Sequence, residues 1–86
     1  MKVYIVEMEV CFEFSHVLGV YSAKDLAITR AKDYWETKDA RYVDYCRVYE
    51  KELDNPEYHQ DIYELYHNPT GNKTVETYLD KTLKKE

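Results

Sequence analysis

The sequence predicts an α+β fold: an antiparallel sheet with a strand-strand-helix-strand core over residues 2–54, followed by a C-terminal extension over 55–86 that reads as helical. Three observations lead there. Apolar residues alternate with period two near the start of the chain, a helix-start signature stands at Ser22, and apolar residues after Pro56 recur at helical spacing.

Residues 2–14 are rich in β-branched and aromatic side chains, with Tyr4, Val6, Met8, Val10, Phe12 and Phe14 at every second position. This is a strand with one apolar face, whose other face carries Glu7, Glu9 and Glu13 to water; Val3, Ile5 and Cys11 blur the alternation at its ends. After the short break Ser15-His16, Val17-Leu18-Gly19-Val20-Tyr21 reads as a second strand. It is too close to the first for anything but an antiparallel hairpin. Gly19 marks either a bulge or a close approach of the helix.

Ser22 offers an N-cap oxygen, Asp25 follows three residues on, and Tyr21 with Leu26 can form a hydrophobic staple. From Ala23 to Thr37, Ala23, Leu26, Ala27, Ala31, Tyr34 and Trp35 follow helical spacing, predicting one amphipathic helix packed on the sheet. Residues 38–41 form the return loop and 42–53 a third strand. Its two faces are so similar in composition that its register stays open.

Asn55-Pro56-Glu57 combines a cap, a proline suited to the first helical position and an acid at the positive end of the dipole. Tyr58, Ile62, Leu65 and Tyr66 then share a helical face, although residues 62–66 would also serve as a short strand. Asn68-Pro69-Thr70-Gly71 is a turn that could link two helices or close a hairpin. Val75, Tyr78, Leu79 and Leu83 favour a final helix, with Lys81, Lys84 and Lys85 at its negative end; residues 74–78 keep a strand as the alternative.

At 86 residues, one domain (1–86) with one small core is expected, leaving little room for an enclosed substrate cavity. The 44% hydrophobic and 34% charged content suits a folded globule. A net charge of −5 has the wrong sign for neutralising phosphates, so direct nucleic-acid binding is disfavoured. Residues 56–72 hold three acids (Glu57, Asp61, Glu64) and no Lys or Arg, an acidic patch suited to a basic partner or simply a solvated face. With no signal-peptide pattern and no run of about 18 apolar residues, a cytoplasmic protein without membrane contact is expected.

Nothing assembles a catalytic set. Cys11 and Cys46 are expected to be buried thiols, and neither they nor His16, His59 and His67 show the spacing of a nucleophilic pair or a metal site. Both glycines answer backbone needs and neither opens a phosphate loop. No catalytic residue, metal or cofactor is therefore expected.

Tyrosine, at ten copies, is the compositional anomaly. Its ring suits interfaces as well as the rim of a small core. The acidic, tyrosine-rich stretch puts the expected partner-binding site at Tyr58, Ile62, Tyr63, Glu64 and Tyr66. The reading is a non-enzymatic module for binding another protein, with an acidic nucleic-acid mimic or a nucleic-acid binder as the alternative. An unpaired edge strand would also give a route to a homodimer.

The segments Val17-Leu18-Gly19-Val20-Tyr21-Ser22 and Tyr49-Glu50-Lys51-Glu52-Leu53-Asp54 resemble those of small uncharacterised bacterial and phage proteins, in which similar segments lead into a helix and close the next strand. The resemblance covers residues 2–54 and implies a ββαβ arrangement and no catalytic residue. In size, acidity and tyrosine content the chain also looks like phage accessory proteins that redirect host enzymes.

Overall fold

The computed structural model describes residues 1–67 and 73–80. Along the chain run β1 (Lys2–Val10), β2 (Phe14–Tyr21), α1 (Lys24–Trp35), a 3-10 turn (Lys38–Tyr42), β3 (Tyr45–Glu52), β4 (Asn55–His67) and β5 (Thr74–Tyr78). The strands form one antiparallel sheet in the order β2-β1-β3-β4-β5, with α1 packed on one face.

This corrects the expected ββαβ core with a helical extension. The segment after Asp54 is not an appendage: β4 is the longest strand and pairs with β3 along its length, and β5 adds a fifth strand. The signature at Asn55-Pro56-Glu57 belongs to a hairpin. Leu53 and Asp54 form its two-residue loop between the paired Glu52 and Asn55, and Asp54 adopts the left-handed conformation (φ 66) that short Asx residues tolerate. Pro56 fits because the register slips here, with Glu52 opposite Asn55 but Lys51 opposite His59. A second slip places Val48 opposite Tyr63 and Tyr49 opposite Asp61, leaving Ile62 as the extra residue. Consecutive residues Ile62 and Tyr63 are thereby both buried, which imitates helical spacing in a strand. The turn expected at residues 68–71, and Lys81, Leu83, Lys84 and Lys85, lie outside the described residues.

Val6 is fully buried at the centre of β1, with Tyr4, Met8 and Val10 packed beside the core. Opposite them on β3 stand Glu50, Val48 and Cys46, all buried, so the register that composition left open is set by the helix-facing side of the sheet. Strand β1 ends at Val10. Cys11, expected to be buried in it, is exposed in the hairpin turn, and Phe12 there is fully exposed at φ 67.

On α1 the buried residues are Ala27, Ile28, Ala31, Tyr34 and Trp35. The face is rotated from the expected one: Leu26 is 54% exposed, so no Tyr21–Leu26 staple buries it, while Ile28 joins the core. Ser22 is not the cap. The helix begins one residue later, with Ala23 at the cap position and no side-chain cap bond. Gly19 lies beside a bulge at Leu18, and a Cβ there would come within 2.6 Å of the Tyr21 hydroxyl, so the tyrosine ring needs a glycine beneath it.

Candidate functional site

Strand alternation turns one set of side chains toward α1 and the other toward the opposite face, which no described element covers. On β1 the outward set is Val3, Ile5, Glu7 and Glu9. The register then builds rows across the sheet. Val20, Ile5, Tyr49 and Asp61 make one; Val17, Glu7, Arg47, Glu64 and Thr77 the next; Ser15, Glu9, Tyr45, Tyr66 and Val75 a third. Aromatic rings occupy the middle of this open face and charges surround them.

Side-chain contacts hold these groups in place. Tyr45 donates its hydroxyl hydrogen to Glu9 Oε1 at 2.7 Å, and Arg47 donates to the same carboxylate at 3.2 Å and to the Tyr45 oxygen while lying 4.4 Å over that ring. Burial, followed by the hydrogen bond to Glu9, pushes the Tyr45 phenol up to about 12. One row away, His59 stacks on Tyr49 with ring centres 4.6 Å apart and meets Asp61 at 2.8 Å. Burial also pushes the Tyr49 phenol up. Four carboxylates (Glu7, Glu9, Asp61, Glu64) stand against two permanent cations (Arg47, Lys51) on this face. The face is acidic, with a platform of half-exposed rings at its centre.

The five residues expected to form the partner site do not share a surface. Ile62 and Tyr63 are fully buried in the core; the Tyr63 hydroxyl donates to Glu76 and its ring meets Tyr78 edge-on at 4.9 Å. Tyr58 donates to the buried Glu50 carboxylate. Glu64 and Tyr66 point to the open face, the latter 37% exposed, directly across from Arg47 and Tyr45. Period-two reading of 58–66 fails at the bulge around Ile62, so only tertiary pairing separates Tyr66 from Tyr63. Arg47 is not singled out by the sequence, and Tyr45 and Tyr49, which with Tyr42 give the third strand its tyrosines, read from sequence as rings edging the small core rather than as a site. Their signal was a Tyr-x-Arg-x-Tyr alternation on a strand whose other face is Cys46, Val48 and Glu50.

Elsewhere, Glu50 forms a polar cluster with Lys2 (3.1 Å) and Tyr58 at one end of the sheet, and Lys24 binds Asp80 at 2.6 Å. Burial pushes the Glu50 carboxyl up, but Tyr58 and Lys2 outweigh it and hold it below its ordinary value. A cleft of about 450 Å³ opens between α1 and β4–β5, lined by Lys32, Asp33, Trp35, Glu36, Leu65, Thr74 and Glu76. Its one hydroxyl, on Thr74, accepts the Trp35 indole N–H at 2.8 Å, and its Glu76 carboxylate accepts from Tyr63 and lies 3.7 Å from Lys32. These polar groups already satisfy one another. Among the described residues no group of three His, Cys, Asp or Glu side chains is placed to hold a metal ion, and no helix is long and apolar enough to cross a membrane.

No curated protein and no solved structure matches the chain. A family model does match residues 1–64, from β1 to Glu64 on β4 and therefore including Arg47, Tyr45 and Tyr49. The chain belongs to that family, which is described as a domain of unknown function (DUF7336).

Proposed function

We propose that the chain is a non-enzymatic protein-binding module that docks a basic partner protein on the open face of its sheet. The observation that supports this reading is the composition of that face: Tyr45, Tyr49 and Tyr66 form an aromatic centre, and Glu7, Glu9, Asp61 and Glu64 give its surroundings an acidic excess. Interfaces concentrate binding energy in such aromatic anchors, while charges around them set the sign of the partner and the rate of encounter. A role as a phage-encoded modulator of a host protein draws on the size, acidity and tyrosine content that the chain shares with phage accessory proteins, and it gives that partner a source.

The test is capture from a bacterial lysate by wild-type chain and by the variants Tyr66→Ala and Glu64→Lys. The expected result is a stoichiometric protein that each variant binds at least tenfold more weakly, with the circular dichroism of the chain unchanged and affinity falling as salt rises. A partner retained by both variants would remove the open face from the mechanism. Binding displaced by DNA would transfer the case to the nucleic-acid mimic.

A further inference from the structure

Strand β2 pairs with β1 on one side, and on its other side no described strand lies against it. Its sequence, Phe14-Ser15-His16-Val17-Leu18-Gly19-Val20-Tyr21, has no Asp, Glu, Lys, Arg or Pro, alone among the five described strands. Phe14, Val17 and Val20 are 52%, 48% and 58% exposed, and the neighbouring Phe12 is fully so. Charges and prolines are the usual devices that keep an edge strand from pairing. Apart from a bulge at Leu18, β2 lacks them.

We infer that β2 is a self-association edge: two copies of this chain join β2 to β2 antiparallel about a two-fold axis, making one ten-stranded sheet. Charge favours a second copy as occupant. A two-fold contact sets a surface against itself, and a chain of net charge −5 can meet its own copy without like-charge contact only through an uncharged strip such as this one.

The register follows from the faces. Phe14, His16, Gly19 and Tyr21 lie on the helix side of the sheet and Ser15, Val17 and Val20 on the open side, because the bulge at Leu18 resets the alternation. Only residues on the same side can oppose one another. Placing Phe14 opposite Tyr21 of the second copy also sets Ser15 opposite Val20 and His16 opposite Gly19, with both bulges at the axis. Each of these three pairs then shares a side, Val17 and the bulged Leu18 meet at the axis where the regular alternation is broken, and the His16 ring falls over a residue without a side chain.

Eight residues extend about 27 Å. A strip of that length about 15 Å wide on each copy amounts to about 800 Å² in total, at the weak, reversible end of interfaces, so a concentration-dependent dimer is expected. The contact is independent of the docking face, whose central residues lie on β3 and β4.

Sedimentation equilibrium of the full chain from about 5 μM to 1 mM tests the inference. The expected mass rises with concentration from the monomer's 10.4 kDa to twice that value. Val17→Lys, a substitution at a half-exposed position, is expected to raise the dissociation constant at least tenfold, with an unchanged thermal melt at low concentration. Tyr66→Ala should leave dimerisation as it is. A wild-type chain that stays monomeric to 1 mM overturns the proposal. A dimer insensitive to Val17→Lys, or one abolished by Tyr66→Ala, overturns it equally by placing the contact elsewhere.

Discussion

Replacing Tyr63 by alanine removes a ring that has no exposed surface, on the strand that faces α1 beside Val48. A buried tyrosine takes on the order of 150–250 Å² out of water, which at about 25 cal/mol per Å² corresponds to about 4–6 kcal/mol for the whole side chain. The retained Cβ and partial collapse of the cavity bring the expected cost to about 3–5 kcal/mol. Losing the phenol adds little, because the Glu76 carboxylate keeps Tyr78 at 3.4 Å and Lys32 at 3.7 Å. For a domain of this size such a loss lowers the melting temperature by about 12–40 °C. Urea unfolding can be followed by the fluorescence of Trp35, the single tryptophan, which stacks on His67 with ring centres 4.5 Å apart. Tyr66→Ala, three residues along the same strand but on the open face, is expected to change stability by less than about 1 kcal/mol. Equal costs for the two substitutions would refute the assignment of Tyr63 to the core and return it to the surface with Tyr66.

Two further outcomes follow from the polar cluster and the thiols. Because the Glu50 carboxyl is held below its ordinary value, the native state releases that proton more readily than the unfolded chain does. Its stabilisation is present above the unfolded carboxylate value of about 4.3 and is lost as pH falls through the lower folded value. Glu50→Gln should therefore be less stable than wild type at pH 7, with the gap closing in acid; urea unfolding across pH checks this, and a gap constant from pH 7 to 2.5 contradicts it. Cys11 is exposed, whereas Cys46 is buried with its thiol pushed up to about 12 by burial. A thiol reagent should label one cysteine in the native chain and two in denaturant, and Cys11→Ser should leave the native chain unlabelled.

Local chemistry determined much of this protein by itself. The alternation of Tyr4, Val6, Met8 and Val10 was legible because each of those side chains faces one environment along an uninterrupted stretch of strand. Trp35 and Ala31 announced the helix by their spacing. What the tertiary structure decided lies where the pairing slips. Pro56 and Asn55 have the chemistry of a helix start and of a hairpin alike, and only the pairing with β3 selects the hairpin, since a helix there would leave the far edge of β3 unpaired. The bulge at Ile62 buries two consecutive residues and sends Tyr63 into the core but Glu64 and Tyr66 to the open face. The open face itself joins Glu9, Arg47 and Tyr66 from three strands. Side chains so far apart in sequence become neighbours only when backbone hydrogen bonds fix the register, because period-two alternation says which residues share a face and nothing about what lies opposite them.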